Sequence, residues 1–321
     1  MNEKTTIVCL TPVKNEAWIL DTFLQCTSLW ADYIIIADQH SSDGSRDIAP
    51  RHPKVIQIDN PLAEYNEIER QKLLLAEARK ISGKRLLITL DADEFFTSEH
   101  TKTAEWMRML QAEPGEIFGF QWINLLPGLK KAWIPQGHFP WAYMDDGREH
   151  NGYQMHSPRV PVNDWNKIVN LSDIKVIHFQ YTNWPRMESK QRYYQCLERL
   201  KYPYKTPTEI FRTYHHMYGI TKNKLIPFNP EWLDPCLMSA IDSIQMNTPG
   251  KNWFDDEVEK LFKTHGTSRF KKEAIWNFDW PFKDPRNLID RAIHLYLKIT
   301  KSYKDNWIVR KIDNKLNVYY K

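Results

Sequence analysis

Short apolar runs alternate with longer amphipathic segments in the first third of the chain, and this alternation restricts the folds that it can adopt. Segments between the apolar runs place hydrophobic residues at helical spacing, with Asn15 and Asn66 as predicted N-caps. The apolar runs are rich in β-branched and aliphatic residues and have the length of strands: 6–11, 33–38, 54–59 and 85–90. Strands separated by such helices predict an α/β fold with a mostly parallel, Rossmann-like sheet flanked by helices.

Several of these predicted strands end in polar or acidic residues. Parallel sheets bind ligands at the carboxyl ends of their strands, where Thr11, Asp38 and Asp91 stand. The last run ends in Asp91-Ala-Asp93-Glu94, and an extended chain is expected to point Asp91 and Asp93 the same way. Two neighbouring carboxylates favour a hard divalent cation, and Mg²⁺ often shares such a site with a substrate phosphate. The alternative interpretation is a solvated turn with acidic residues near a helix N-terminus.

The pattern changes after the predicted sheet core. Residues 117–123 and 173–181 have strand character, whereas 124–165 are rich in proline, glycine, tryptophan and histidine and predict irregular loops. Helix signals dominate towards the C-terminus. We therefore expect one domain over 1–200 and a mainly helical C-terminal extension over 201–321.

Composition and charge exclude several classes of function. A net charge of +4 is too small to indicate nucleic-acid binding. The four cysteines lack CxxC spacing and no apolar run is long enough to span a membrane, so we expect a cytoplasmic protein without a zinc site. The tail from Lys298 to Lys321 has seven Lys or Arg against two Asp, with aromatic residues between them. This tail predicts either peripheral contact with the inner face of the membrane or a solvated helix face.

Three motifs, in order along the chain, resemble those of the family 2 glycosyltransferases with a GT-A fold. They are Thr11-Pro-Val-Lys-Asn-Glu16, Ala37-Asp-Gln-His-Ser-Ser-Asp-Gly-Ser45 and Leu90-Asp-Ala-Asp-Glu94. The resemblance covers about residues 5–110 well and extends to about residue 195 more weakly. It implies a nucleotide-sugar-binding catalytic domain that uses Mn²⁺ or Mg²⁺. The implied reaction transfers a sugar, with inversion, from a UDP-linked donor to a hydroxyl of a saccharide or lipid-linked acceptor, in polysaccharide, lipopolysaccharide or glycoconjugate synthesis.

The resemblance also assigns residues to the nucleotide-sugar site. These residues line the base and ribose, pair with a uracil-type base edge or contact the donor phosphates: Thr11, Pro12, Glu16, Asp38, Arg70, Asp91 and Ala92. Asp38 is the expected acceptor for the uracil edge, and the guanidinium of Arg70 suits bidentate phosphate contact. Gln39-His40 stands where the family more often has Asp-Gly.

The metal ligands implied by the resemblance are Asp91 and Asp93, with His178 of a later Ile-His-Phe-Gln-Tyr pattern completing the site. A histidine at a strand end is also common as a purely structural residue. A carboxylate must deprotonate the acceptor hydroxyl, and the candidates for this catalytic base are Asp164, Glu149 and Glu94.

Two other functions remain open at this point. A sugar-phosphate nucleotidyltransferase also uses a Rossmann-like sheet and Mg²⁺, but it is expected to have a glycine-rich phosphate loop directly after the first strand. The segment from Thr11 to Glu16 contains no glycine. A non-catalytic carbohydrate-binding protein of the same fold is the second alternative, because fold alone does not determine function.

Overall fold

The computed structural model describes residues 4–246 and 250–320. Its strands are β1 (Thr6–Val13), β2 (Tyr33–Asp38), β3 (Val55–Asp59), β4 (Arg85–Thr89), β5 (Glu94–Phe96), β6 (Ile117–Leu125), β7 (Lys131–Trp133), β8 (Phe139–Met144), β9 (Ile168–His178) and β10 (Ile226–Pro227). Its α-helices are α1 (Leu20–Thr27), α2 (Ser45–Ile48), α3 (Glu67–Ala78), α4 (Ala104–Leu110), α5 (Trp184–Lys201), α6 (Pro207–Tyr214), α7 (Pro235–Ala240), α8 (Trp253–His265), α9 (Leu288–Ile299) and α10 (Trp307–Tyr320).

The described chain divides into two compact units. The first contains the residues up to Thr182 together with Pro227–Met246, and the second contains Asn183–Ile226 and the residues from 250 onward. The first unit holds the sheet, and the second holds α5, α6, α8, α9 and α10. The expected domain boundary at residue 200 stays a prediction.

A twisted sheet with the strand order β7-β6-β8-β4-β1-β2-β3 forms the centre of the first unit. The three pairings among β1 to β4 are parallel: β4 with β1, β1 with β2, and β2 with β3. β9 lies parallel to β6 and carries β5 on its other edge. The sequence prediction is confirmed: the protein has a mostly parallel, Rossmann-like α/β sheet flanked by helices, with a helical C-terminal region.

Aliphatic side chains hold α3 against the parallel strands. Val8 and Leu10 of β1 and Ile35 of β2 are fully buried in one cluster with Leu74 and Leu75 of α3. Burying one such side chain contributes about 1.5–3 kcal/mol to folding. The cluster therefore fixes α3 across the sheet, with the first turn of this helix at the carboxyl ends of the strands.

The two predicted helix caps have different outcomes. Asn66 caps α3 as predicted, because its side chain accepts from the backbone N–H of Glu69 at 3.4 Å. The prediction that Asn15 caps the first helix is wrong. α1 begins at Leu20 without a side-chain cap, and Asn15 has a positive φ of 55° in the preceding loop.

Two strands, β7 and β8, lie in the segment for which the sequence predicts irregular loops. β8 is antiparallel and lies between β4 and β6. Pro140 of β8, which has no N–H to donate, pairs with Gly119 where the register of the two strands shifts. β8 thereby connects the parallel core to β6 and β9, so that the carboxyl ends of β4, β6 and β9 lie at one edge of the sheet.

Ion pairs with buried carboxylates link the helices of the second unit. Arg192 of α5 pairs with Asp255 of α8 at 2.8 Å, and Arg212 of α6 pairs with Asp313 of α10 at 2.8 Å. Removing one partner of such a pair leaves an uncompensated charge and is strongly destabilising. Within residues 4–246 and 250–320, none of the helices combines the length and the apolar character needed to cross a bilayer.

Candidate functional site

Residues 91–94, three of which are acidic, form a turn between β4 and β5 that we call the acidic turn. β4 ends at Thr89, and the backbone N–H of Glu94 donates to the backbone oxygen of Asp91 at 3.0 Å. The expectation that an extended chain points Asp91 and Asp93 the same way is therefore wrong. The turn directs the Asp91 and Asp93 side chains to different partners.

Asp93 faces His178 at the carboxyl ends of β4 and β9. The distance from Asp93 Oδ2 to His178 Nε2 is 3.7 Å, and both side chains are buried. His178 Nδ1 donates to Asn124 Oδ1 of β6 at 2.8 Å, and its ring stacks on Trp122. This hydrogen bond places a proton on Nδ1, so that Nε2 of a neutral His178 directs its lone pair towards Asp93. The structure thus brings together two of the three predicted metal ligands.

Asp91, the third predicted ligand, contacts Arg159 instead. Arg159 Nη2 donates to Asp91 Oδ2 at 2.7 Å, and the same guanidinium forms a bidentate pair with Glu94. Within the described residues, no cluster of three or more His, Cys, Asp or Glu side chains is arranged to hold a metal ion by itself. A site built on Asp93 and His178 therefore needs further ligands from a substrate or from water.

Glu94, a predicted base candidate, is fully buried and has several donors around its carboxylate. Besides Arg159, it accepts from Trp122 Nε1 and from the backbone N–H of Asp91, both at 2.9 Å. Burial raises the pKa of Glu94 to about 7, against the lowering effect of Arg159. These contacts hold the acidic turn in place, and they leave Glu94 no open face towards an acceptor hydroxyl.

Asp38 ends β2 as a buried carboxylate with only one oxygen satisfied. Oδ1 accepts from Arg46 Nη1 at 2.7 Å and from the backbone N–H of Ser41 at 3.1 Å. Oδ2 is buried and has no hydrogen-bond partner among the described residues. The next strand end contributes a matching donor, because Asn60 is 1% exposed and its Nδ2 also lacks a partner in the described part of the chain. An acceptor and a donor are thus unsatisfied at neighbouring strand ends.

The loop after β1 is held by the loop after β2. The backbone N–H groups of Asn15, Glu16 and Ala17 donate to Ser41 Oγ, Ser45 Oγ and an Asp43 carboxylate oxygen, each at 2.9 Å. Thr11 and Pro12, which are predicted to contact the nucleotide-sugar, lie at the end of β1, beside Ile36 and Ala37 of β2. Glu16 accepts from Trp18 Nε1 at 2.6 Å.

The other two residues predicted to contact the nucleotide-sugar, Arg70 and Ala92, lie at the same edge of the sheet. Arg70 is half-buried in the first turn of α3, where its guanidinium lies 5.6 Å from the centre of the Tyr65 ring. Ala92 is buried within the acidic turn. Every residue predicted to contact the nucleotide-sugar therefore lies at the carboxyl ends of the parallel strands or directly after them.

The opposite, amino-terminal edge of the sheet holds another buried carboxylate, Asp145. It accepts hydrogen bonds from Tyr143 at 2.6 Å, Arg79 at 3.1 Å and Arg85 at 2.9 Å. Burial raises the pKa of Asp145, but the hydrogen bonds outweigh burial and bring the pKa to about 2. Asp145 is therefore a structural anion at neutral pH.

Glu149, the second base candidate, is anchored near this same edge. It is exposed, and Arg79 Nη2 donates to the backbone oxygen of the preceding Arg148 at 2.7 Å. At 3.3 Å per residue, the chain from Arg85 to Asp91 spans about 20 Å. The structure therefore does not bring Glu149 together with the acidic turn.

Asp164, the third base candidate, lies in the turn that precedes β9. β9 begins at Ile168, opposite Ile117 of β6, and ends at His178, opposite Asn124. β6 spans about 23 Å between those two positions. Asp164 and His178 therefore lie towards opposite ends of β9.

Sequence reasoning missed four residues that shape this edge: Arg46, Asn60, Asn124 and Arg159. None of them belongs to a motif, and Arg46, Asn124 and Arg159 act on residues that are not their neighbours in the chain. Arg159, for example, contacts Asp91 and Glu94 from an irregular segment more than 60 positions later. Only Asn60 and Asn124 carried a signal that a sequence prediction could have used. Both are polar residues at the end of a strand.

No family model matches the chain, and no curated protein matches it. Among solved structures, HddC from Yersinia pseudotuberculosis shares 11% identity at a TM-score of 0.31, covering 55% of this chain and 93% of HddC. The 4-diphosphocytidyl-2C-methyl-D-erythritolsynthase from Anaerococcus prevotii shares 14% identity at a TM-score of 0.24, covering 44% of this chain and 67% of the synthase. Both TM-scores are low, so these likenesses carry no argument about activity.

Proposed function

We propose that this protein binds a nucleotide-sugar at the carboxyl edge of its sheet and is a metal-dependent glycosyltransferase. The observation that carries the proposal is the pair of Asp93 and His178, oriented by Asn124 and separated by 3.7 Å. Two ligands that each lie about 2.1 Å from one ion are roughly 3–3.7 Å apart. The spacing of the two atoms thus fits a shared divalent cation.

The donor set also fits Mn²⁺ or Mg²⁺ bound together with a diphosphate. Mg²⁺ is commonly held by one or two carboxylates, with substrate phosphates and water as the other ligands. When bound, such an ion stabilises the negative charge that develops on a diphosphate leaving group. Asp93 and His178 hold it on this chain, and Asn124 keeps the imidazole in the ligating tautomer.

The unsatisfied groups of Asp38 and Asn60 support uridine as the nucleoside. Uracil presents the N3–H donor beside the O4 acceptor, which is the complement of Asp38 Oδ2 and Asn60 Nδ2. Both atoms are buried, so a base can contact them only after a local movement of the chain. Residues 61–65 follow Asn60 directly. Gln39 Nε2 holds that segment by donating to the backbone oxygens of Leu62 at 3.0 Å and Glu64 at 3.2 Å.

The sugar-phosphate nucleotidyltransferase remains the second candidate. By its name, the Anaerococcus prevotii synthase makes a diphosphocytidyl compound, but at a TM-score of 0.24 this likeness favours neither class for this chain. The loop after β1 argues against it. A phosphate-binding loop needs free backbone N–H groups, and those of residues 15–17 are already donated to the loop after β2. The first glycine of the chain is Gly44.

The catalytic base is left unassigned in this proposal. Glu94 has no open face, and Glu149 and Asp164 lie away from the acidic turn for the reasons given above. The acceptor, a saccharide or a lipid-linked saccharide, likewise stays a prediction of the family resemblance.

Two parallel assays distinguish the candidate functions. In the first, a panel of UDP-sugars is incubated with the protein and Mn²⁺, and UDP release is followed. In the second, UTP is incubated with the matching sugar 1-phosphates, and pyrophosphate release is followed. UDP release that Asp93→Asn abolishes supports the glycosyltransferase, whereas pyrophosphate release establishes the nucleotidyltransferase. Binding of a UDP-sugar without release of UDP or pyrophosphate would support the non-catalytic carbohydrate-binding protein.

We also propose peripheral membrane contact through α9 and α10. Leu288, Leu295 and Ile299 form an exposed stripe along α9, and Trp307 and Tyr319 are exposed on α10. Basic residues lie on and between the same helices, which suits an anionic lipid surface. Co-sedimentation with vesicles rich in anionic lipid is expected and should fall when Leu295 and Ile299 are changed to serine. Equal sedimentation of the variant would contradict this contact.

A further inference from the structure

A cavity of about 360 Å³ lies among the helices of the second unit. Its volume falls within the range of roughly 300–1,000 Å³ that is typical of small-molecule sites. Its walls come from α5, α6 and α9 and from residues 274–278. The glycosyl transfer proposed above makes no use of these residues, so their chemistry calls for a separate account.

Gln191 and Gln195 of α5 line the cavity, and the amide oxygen of each is buried. Gln191 and Gln195 are one helical turn apart, and the two residues are 8% and 1% exposed. Gln195 Nε2 donates to the backbone oxygen of Gln191 at 3.2 Å, which fixes the orientation of that amide. Oε1 of each residue has no hydrogen-bond partner among residues 4–246 and 250–320. Because an unpaired buried acceptor is costly, a ligand hydroxyl group that reached either oxygen would be favoured.

Two lysines bring positive charge to the same cavity, which is also lined by the carboxylate of Glu188, an acceptor for the Tyr218 hydroxyl. Lys298 and Lys301 line it, and neither forms an ion pair with a carboxylate in the described part of the chain. Lys301 Nζ instead lies 3.7 Å from the centre of the Tyr218 ring. The two arginines of the cavity, Arg192 and Arg286, are each already paired with an aspartate. The lysines therefore supply the charge that is available to an anion.

Aromatic side chains form the remaining wall. Phe211, Tyr214 and Phe278 line the cavity together with Tyr218. Aromatic faces suit the apolar face of a sugar ring, whereas hydroxyl groups and a phosphate suit the amide oxygens and the lysines. We propose that the second unit binds a sugar phosphate in this cavity, with the phosphate at Lys298 and Lys301 and the hydroxyl groups at Gln191 and Gln195.

Titration calorimetry with the full chain tests this site. The probes are glucose 1-phosphate, glucose 6-phosphate, galactose 1-phosphate and N-acetylglucosamine 1-phosphate, each with saturating UDP present to fill the nucleotide site. We expect at least one of them to bind. The Lys298→Met/Lys301→Met double variant should weaken this binding by about tenfold or more, since each lysine makes a charge-assisted contact. The matched control is Lys311→Met/Lys315→Met on α10, which removes the same charge from exposed positions outside the cavity.

Gln195→Leu provides a second test that does not alter charge. It should reduce affinity for the sugar phosphate but not for inorganic phosphate, because only the sugar offers hydroxyl groups to this position. The proposal is overturned if none of the four probes binds, if the two lysine double variants bind equally, or if inorganic phosphate binds as tightly as the sugar phosphates. These outcomes are independent of UDP or pyrophosphate release, so they do not depend on the proposed activity.

Discussion

The Asp38→Asn substitution gives the sharpest test of the proposal that a nucleotide binds at the carboxyl edge of the sheet. The amide keeps an oxygen for the Ser41 N–H and Arg46, which now bond Oδ1 of Asp38. It puts an NH₂ group where Oδ2 lies, a position without a hydrogen-bond partner among the described residues. That NH₂ group would face the N3–H of uracil. A hydrogen bond would thus be replaced by repulsion between two hydrogen-bond donors.

The magnitude follows from burial. Asp38 is 1% exposed, so water cannot replace the lost contact. A hydrogen bond to a charged group is worth about 1.5–3 kcal/mol, which corresponds to a roughly 10- to 150-fold loss of UDP affinity. Cytosine has an acceptor at its N3 position, so CDP should lose less, and the preference for UDP over CDP should shrink.

Calorimetric titration with UDP and CDP measures both effects. The matched control is Asp59→Asn, because Asp59 is the other partner of Arg46, at 2.7 Å, but is largely exposed. Loss of that exposed pair costs little, and UDP affinity should change by less than about fivefold. Equal losses in the two variants would assign the effect to Arg46, and unchanged UDP affinity in a folded Asp38→Asn protein would refute base recognition by this carboxylate.

Three further predictions follow from the described contacts. Asp93→Asn and His178→Gln should each weaken Mn²⁺ affinity, measured in the presence of UDP, by about tenfold or more, with metal-free UDP binding retained; unchanged Mn²⁺ affinity would end the ligand assignment. Glu149→Gln and Asp164→Asn should both keep near-normal turnover, since neither lies at the acidic turn; a large loss of kcat in either one would show that its loop reaches the substrate. Asp145→Asn should lower the free energy of unfolding by about 2 kcal/mol at neutral pH, because the pKa of about 2 in the folded protein lies below its ordinary value. That stabilisation is present above about pH 4 and is lost as the pH falls towards 2, so urea denaturation of the two proteins should converge in acid.

Local sequence signals predicted the parallel core well. β2 has the predicted bounds, and β3 and β4 each differ by one residue from the predicted runs. These elements combine a strong hydrophobic period with turn residues at their ends, so tertiary contacts reinforce local preference. Asn15 shows the limit of local reasoning. It fits a cap by residue type, but its side chain accepts from the backbone N–H of Ser42 in a neighbouring loop.

The antiparallel strands were missed because their sequence lacks a period. Residues 139–144 are almost continuously apolar and contain a proline, and such a run is compatible with a strand buried on both faces. The pairing of Asp93 with His178 was predicted through the family resemblance, whereas Arg159 and Asn124 were not, since their roles depend on contacts between distant segments. Residue types at strand ends thus located the site, but only the sheet register determined which carboxylates meet.

The position of β8 between β4 and β6 also sets the order in which the protein can assemble during synthesis. The pairing that completes β4 joins Leu86 to Met144, so a nascent chain that ends before β8 exposes one side of β4 as an open strand edge. Such non-local pairings form late and slow the folding of a domain. The ends of β2 and β3, which are proposed to bind the base, can form early, whereas the Asp93–His178 pair must wait until β9 has left the ribosome. A ribosome-bound chain is therefore expected to acquire nucleotide affinity before it acquires metal dependence.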